Sequence, residues 1–154
     1  MAGDEIADLL DRLSSTPSRI GTAAAGRSEH ELTTIPPRDE WSPRAVLAHM
    51  RASDDILAPR LIAMLVREEP MLPAFDDRHW CDVMGYDSAD FAELLMAFTA
   101  RRAELVAALR RLDARAWRRT GTHEARGQTT MLETLRHLVD HESEHCLQLE
   151  AMLA

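Results

Sequence analysis

Cysteine and aromatic residues are scarce in this sequence. The two cysteines, Cys81 and Cys146, form no CxxC pair, which excludes a disulfide-stapled scaffold and predicts two reduced thiols. Aromatic residues make up only 5% of the chain, whereas Ala, Leu, Arg and Glu are abundant. Because straight side chains lose little rotamer freedom in a helix, this composition favours helices over sheets.

An excess of basic charge and long apolar runs are also missing. The formal net charge is −8, and no stripe of basic residues stands apart from acidic ones, so no electrostatic footprint for nucleic acid is present. No apolar run approaches the ~20 residues that span a bilayer. The acidic N-terminal residues lack the cationic region of a secretory signal peptide. These absences predict a cytoplasmic protein without nucleic-acid or membrane partners.

The remaining composition is that of an ordinary globular protein. Apolar residues make up 45% and charged residues 29% of 154 residues. That length fits one domain around one sizeable core, so we expect a single helical domain over residues 1–154.

The first two helices are indicated by apolar residues at three- and four-residue steps. The first is predicted from about Asp4 to Ala25. Pro17 interrupts it, but the apolar stripe stays in phase across the proline, which favours one kinked helix over two. The second is predicted to begin with Ser42 as N-cap and Pro43 at the first helical position, and to end before Pro70.

The third and fourth helices are indicated in the same way. The third is predicted to start near Asp87 or Ser88 and to end around Leu112. The fourth is predicted to start at Thr130, where Glu133 three residues later completes a capping box.

The segment between the second and third helices is too long for a tight turn. It runs from Glu68 to Asp87 and carries two prolines and a glycine. A long crossover between two pairs of helices explains it. The stretch from Gly121 to Gly127 is predicted to be a mobile turn. The fold class is therefore predicted to be all-α, a four-helix bundle with a long crossover between helices 2 and 3.

Histidines at four-residue steps on the fourth helix suggest a metal site. Side chains four residues apart sit ~5–6 Å apart at Cβ, so two imidazoles there can hold one ion at ~2.0–2.1 Å. His141 and His145 lie ~90° and ~50° from the centre of the apolar stripe, whereas His137 lies ~130° away and points outward. His49, on the second helix, is ~60° from its stripe and supplies a third ligand. The pair His137 and His141, or a solvated histidine edge, are the alternatives.

Polar residues near these histidines are candidates for orienting groups. Glu142 and Arg102 both lie in the middle of apolar stripes, where a charge is costly unless it is paired. Glu142 is therefore expected to pair with Arg102, or to accept a proton from a ligand histidine, unless either side chain reaches solvent at a helix edge. Asp54 is a candidate for orienting water or a ligand, with a solvated carboxylate as the alternative. Gln148 is a candidate for the pocket wall.

Two motifs share their order and spacing with a known superfamily. The first, W-S-x6-H, runs from Trp41 to His49, and the second, H-x3-H-x2-Q, runs from His141 to Gln148. Together with Arg101 and Arg102 between them, they resemble the DinB/YfiT-like superfamily over nearly the whole chain. The resemblance implies a four-helix bundle, a homodimer, and a divalent metal held by three histidines, which map to His49, His141 and His145.

The expected chemistry follows from an open metal site. Three histidines leave at least one position for water or substrate, as in catalytic sites. Such an ion lowers the pKa of water or stabilises a thiolate, and imidazole ligands suit Zn, Ni, Fe or Cu. The resemblance implies a metal-dependent enzyme acting on a small electrophile, either a hydrolase or an S-transferase with a low-molecular-weight thiol as cosubstrate. The alternative is a non-catalytic metal-binding or stress-related interaction bundle.

Overall fold

Four long helices form the bundle, and two short helices lie in the connections between them. The computed structural model describes residues 2–154. The helices are α1 (Ala2–Ala24), α2 (Glu29–Thr33), α3 (Pro43–Val66), α4 (Asp77–Met84), α5 (Phe91–Leu109) and α6 (Met131–Met152). The bundle consists of α1, α3, α5 and α6. Within residues 2–154, no helix combines the length and apolarity that a membrane crossing requires.

The bundle helices run in an up-down-down-up order. Both α1 and α3 pack against α5 and α6, so α1 and α3 occupy opposite corners. The ion pairs Glu5–Arg136 and Arg19–Glu150 show that α1 and α6 run parallel, because both partners advance together along the chain. The first halves of α3 and α5 share one core cluster with the second half of α6. Therefore α3 and α5 are parallel neighbours, and α6 runs antiparallel to both.

This order explains the long connection between α3 and α5. With 24 residues, α3 is about 36 Å long, so the chain must return along the bundle before a parallel helix can start beside it. The predicted crossover is therefore present, as residues 67–90. It contains a two-residue strand β1 (Met71–Leu72), α4, and a 3-10 turn at Tyr86–Ser88.

The predicted four-helix bundle is present, but the fold is not purely α-helical, because a small sheet closes one end of the bundle. Strands β2 (Thr120–His123) and β3 (Gly127–Thr130) form an antiparallel hairpin, and β1 pairs parallel with β2. The hairpin occupies the segment that was predicted to be a mobile turn. These strands have only two to four residues, too few to show an alternating apolar pattern. Gly121 lets β2 approach closely, since a Cβ there would lie 3.1 Å from the side chains of Leu72 and Met64.

Most helix starts follow the capping signals. Ser42 caps α3 by accepting a hydrogen bond from the backbone N–H of Ala45 at 3.2 Å. Thr130 and Glu133 form the predicted capping box of α6. As expected, α1 continues through Pro17 as one helix.

The limits of α5 differ from the prediction by about three residues at each end. The predicted start at Asp87 or Ser88 falls in the 3-10 turn, and Asp90 caps the helix instead. The helix ends at Leu109, not at Leu112. The short helices α2 and α4 were not predicted.

A buried polar layer crosses the core between two apolar clusters. One cluster is built on Leu13, Leu61, Leu109 and Leu135, and the other on Ile20, Leu47, Phe98 and Leu149. Between them lies one polar residue from each bundle helix: Thr16, Asp54, Arg102 and Glu142, all buried. The Arg102 guanidinium donates a hydrogen bond to Glu142, and its Nη2 lies 3.0 Å from Asp54 Oδ1. The predicted pairing of Glu142 with Arg102 is therefore confirmed.

Replacing the cation of this layer is expected to be the most damaging change. Arg102→Met leaves the Glu142 carboxylate buried without a cation, which we expect to lower the free energy of unfolding by about 3–5 kcal/mol. Glu142→Leu should have a smaller effect, because Arg102 keeps Asp54 as a partner. The double variant should recover much of the loss. Urea denaturation of the three variants measures this, and equal losses in both single variants would contradict it.

Candidate metal centre

Three imidazoles meet where the first half of α3 faces the second half of α6. His49 comes from α3, and His141 and His145 come from successive turns of α6. One ring nitrogen of each lies within 4.8 Å of the others. The Nε2 atoms of His49 and His141 are 3.0 Å apart. Among the His, Cys, Asp and Glu side chains of residues 2–154, these three histidines form the group that lies close enough together to bind one metal ion.

The spacing of the rings fits a shared ion. The ring centres are 5.0 Å apart for His49 and His141, 4.6 Å for His49 and His145, and 4.7 Å for His141 and His145. Imidazoles that share one ion through Nε2 at ~2.0–2.1 Å have ring centres roughly 4.5–5.2 Å apart. The near-equilateral triangle is therefore of the right size for one divalent ion.

Oxygen atoms lie beside the outer ring nitrogens of two of the three histidines and influence which nitrogen carries the proton. His145 Nδ1 lies 3.0 Å from Gln148 Oε1, and His49 Nδ1 lies 3.5 Å from Asp77 Oδ2. Both acceptors favour a proton on Nδ1, which leaves the Nε2 lone pair free towards the other rings. The Nε2 atoms of His49 and His141 are at hydrogen-bond distance, so with the His49 proton on Nδ1 the His141 Nε2–H donates to His49 Nε2. A shared ion would take the place of this hydrogen bond, with the His141 proton on Nδ1.

The environment favours the neutral form of two of the imidazoles, those of His49 and His141, as metal ligation requires. Burial, followed by the charge of His145, lowers the pKa of His49 below its usual value. Burial and the two neighbouring imidazoles lower the pKa of His141 to about 4. At neutral pH both side chains are therefore neutral imidazoles, so no imidazolium proton has to be lost before an ion binds.

Trp41 forms a wall on one side of the cluster. Its ring lies 5.0 Å from that of His49 and stacks on His145 at 6.1 Å with an interplanar angle of 15°. The Arg78 guanidinium of α4 lies over the indole, 5.3 Å from the ring centre. A cavity of about 400 Å³ opens between Trp41, His49 and Arg78. The site therefore has an apolar wall and an entrance.

The orienting residues differ in part from those expected. Glu142 and Asp54 were candidates for orienting the site, but both form ion pairs with Arg102 in the polar layer, and Asp54 also contacts Arg51 and Arg101. The outer nitrogens of His49 and His145 instead contact Asp77 and Gln148. Gln148, expected in the pocket wall, instead holds His145.

Asp77 was missed altogether. It lies at the start of α4, in the crossover, and no spacing along the sequence relates it to the histidines. Trp41 was noted as part of a motif without a role. Its signal was present, because it directly precedes the N-cap Ser42 and is therefore held close to the first turns of α3.

His137 lies beside the cluster but outside the common reach of the three donors. Its ring centre is 6.4 Å from that of His141, the side chain is exposed, and Nε2 faces the Arg126 guanidinium at 3.4 Å. Cys146 directly follows His145 in α6. Its side chain is buried among apolar side chains, as predicted.

The fold and the converging imidazoles define the class: a four-helix bundle with a candidate divalent-metal site between two of its helices. The sequence profile of the DinB superfamily matches residues 12–149. The chain therefore belongs to the DinB superfamily.

A solved structure supports the fold. YfiT from Bacillus subtilis, described as a probable metal-dependent hydrolase with an unusual four-helix bundle topology, superposes with a TM-score of 0.88. The superposition covers 99% of this chain and 87% of YfiT at 20% sequence identity. The similarity shows the DinB-like bundle. No protein of curated function matches the sequence.

The ligand set predicts one bound ion per chain. Protein purified without a His-tag and supplied with Zn²⁺ should hold about one ion per chain, as measured by elemental analysis. His49→Ala and His141→Ala should lose it. His137→Ala, on the same helix as His141, is the matched control and should retain it. Loss of the ion in His137→Ala, with retention in His49→Ala, would contradict the assignment.

The contact between His145 and Gln148 predicts a smaller effect. Gln148→Leu removes the acceptor of the Nδ1 proton, so Zn²⁺ affinity should fall by about 10–100-fold without loss of folding. Glu144→Gln changes an exposed residue on the same helix and should leave the affinity unchanged. Competition titration with a chelator measures both, and equal affinities of Gln148→Leu and the unchanged protein would refute the role of Gln148.

Proposed function

We propose that this chain is a metal-dependent enzyme that acts on a small electrophile, as a hydrolase or as a transferase that uses a low-molecular-weight thiol. The observation that supports the proposal best is the convergence of three imidazoles without a fourth protein ligand among residues 2–154. Structural zinc sites are closed by four protein ligands, whereas three leave a position for a reacting group.

The metal would be held by His49, His141 and His145. Zn, Ni and Fe all suit three imidazoles, so the ligand set does not select among them. When bound, the ion supplies Lewis acidity, which lowers the pKa of a water or thiol and polarises the electrophile.

The chain itself positions the donors and forms a wall beside them. Gln148 accepts the outer-nitrogen proton of His145, and the Asp77 carboxylate, 3.5 Å from the outer nitrogen of His49, favours a proton there, so the inner nitrogens of both rings are left for the metal. Trp41 covers one side of the rings, and the substrate would enter through the cavity between Trp41, His49 and Arg78. Such fixed positioning is what a catalytic site requires of its scaffold.

Two nucleophiles are compatible with this arrangement. Water would make the enzyme a hydrolase, in line with the description of YfiT. A low-molecular-weight thiol would make it an S-transferase, which the DinB-like motifs imply. Both buried cysteines are poor nucleophiles, because burial raises the pKa of Cys81 to about 12 and of Cys146 to about 11. A thiol nucleophile would therefore come from a cosubstrate. The homodimer and the cytoplasmic location stay predictions.

The second candidate is a metal-binding bundle without catalytic activity. A shared fold does not fix a reaction, and a site of this geometry also serves to store or sense an ion. Metal binding with no turnover would support that candidate.

Turnover by the metal-loaded chain tests the proposal. Protein loaded with Zn²⁺, Ni²⁺ or Fe²⁺ is assayed for hydrolysis of p-nitrophenyl acetate and for transfer of cysteine, as a simple thiol, to monobromobimane. We expect activity with at least one metal, a fall to the metal-free level in His145→Ala, and retention in His137→Ala. No metal-dependent turnover in either assay, with about one ion bound per chain, would favour the non-catalytic bundle.

A further inference from the structure

A groove leads from the metal centre towards the β-hairpin. A cavity of about 270 Å³ begins at His141 and Asp77, and a second of about 280 Å³ continues to the strands β2 and β3. The two cavities share Leu57, Arg60, His123, Arg126 and His137. Cationic and hydrogen-bonding side chains thus predominate where the cavities meet.

Arg60 is a buried cation without an acidic partner. Its residue exposure is 8%, and its Nη2 donates a hydrogen bond of 2.6 Å to the carbonyl of Pro73. Its Nε is buried and has no hydrogen-bond partner. Within residues 2–154, Arg60 forms no ion pair. Burial, followed by the charge of Arg126, lowers the pKa of Arg60. An unpaired buried guanidinium is costly, so a group that neutralises it in the groove would be bound favourably.

Arg126 and His123 add donors to the same place. Arg126 lies in the turn between β2 and β3, is exposed, and contacts His137 rather than a carboxylate. His123 Nδ1 accepts a hydrogen bond from the backbone N–H of Ala125 at 3.1 Å, so the ring proton is on Nε2. The junction of the two cavities therefore offers two guanidinium groups and an imidazole N–H.

The acidic residues around the groove are engaged elsewhere. Asp77 contacts His49, and Glu133 accepts the backbone N–H of Thr130 at 2.8 Å in the capping box. Glu124 accepts the backbone N–H of Ala74 at 2.9 Å. These carboxylates keep their negative charges, but among residues 2–154 none of them forms an ion pair with Arg60 or Arg126, so both guanidinium groups stay available to a ligand.

We propose that Arg60 and Arg126 form a subsite for an oxyanion, a carboxylate or a phosphate, carried by the substrate. Guanidinium groups match the planar fork of a carboxylate and the oxygens of a phosphate. Because the groove starts at His141, an anion bound there places the rest of the molecule against the imidazoles. This inference deepens the proposed function, since it assigns an anionic substrate to the same site.

Anion binding to the metal-free chain tests the subsite independently of catalysis. Isothermal titration with succinate and with inorganic phosphate should show saturable binding, and the tighter of the two identifies the kind of oxyanion. Arg126→Gln should weaken binding by about 10-fold or more, because a hydrogen bond to a charged group is lost. Arg126 is exposed, so this variant leaves the core intact. Arg60→Gln should weaken binding further.

Arg118→Gln is the matched control. It removes the same charge from an exposed residue that does not line the groove, and it should bind the anion as the unchanged chain does. No binding of either anion, or equal losses in Arg126→Gln and Arg118→Gln, would overturn the subsite. This titration measures no turnover, so it is independent of the activity assays. Anion binding combined with an absence of metal-dependent activity would support the subsite and contradict the proposed function.

Discussion

The antiparallel packing of α3 on α6 is the contact on which the candidate site depends. It sets the start of one helix against the end of the other, so that His49 meets two histidines one turn apart. Each ring is therefore carried by a rigid element and not by a loop. The up-down-down-up order then requires a long return from α3 to α5. That return brings α4 over the site, and with it Asp77 and Arg78. The antiparallel packing of α3 on α6 thus positions both the metal donors and the groups around them.

The same region holds charges that a core ordinarily avoids. Burial raises the pKa of Glu142 to about 7, opposed by the Arg102 guanidinium beside it. A buried ion pair of this kind gives little net stability compared with apolar packing, because desolvation offsets the attraction. We interpret the layer of Asp54, Arg102 and Glu142 as a register device. At the observed relative position of α3, α5 and α6, Arg102 forms ion pairs with both carboxylates, and a shift of one helix along another would separate these buried charges. That position is also the one at which the imidazoles converge.

Local signals in the sequence predicted the elements that depend on local physics. Residue types and helical spacing predicted the caps at Ser42 and Thr130. The positions of side chains relative to the apolar stripes predicted the pairing of Glu142 with Arg102 and the convergence of the three histidines. The sheet was missed because its strands are too short for a period-2 pattern, and because β1 is distant in sequence from the β2–β3 hairpin. Asp77 and Arg126 were missed for the same reason, since only the tertiary fold brings them to the histidines. Arg60 did carry a signal: eleven residues after His49, it falls ~20° from it on the helix, on the same face.

The central claim is that three imidazoles from two helices share one divalent ion. X-ray absorption spectroscopy of the Zn²⁺-loaded chain tests it most directly, because it measures both the kind and the distance of the ligands. The account predicts three imidazole nitrogens at about 2.0–2.1 Å, with the remaining coordination completed by light-atom ligands from solvent. A spectrum with sulfur ligands, or with fewer than three imidazoles, would contradict it.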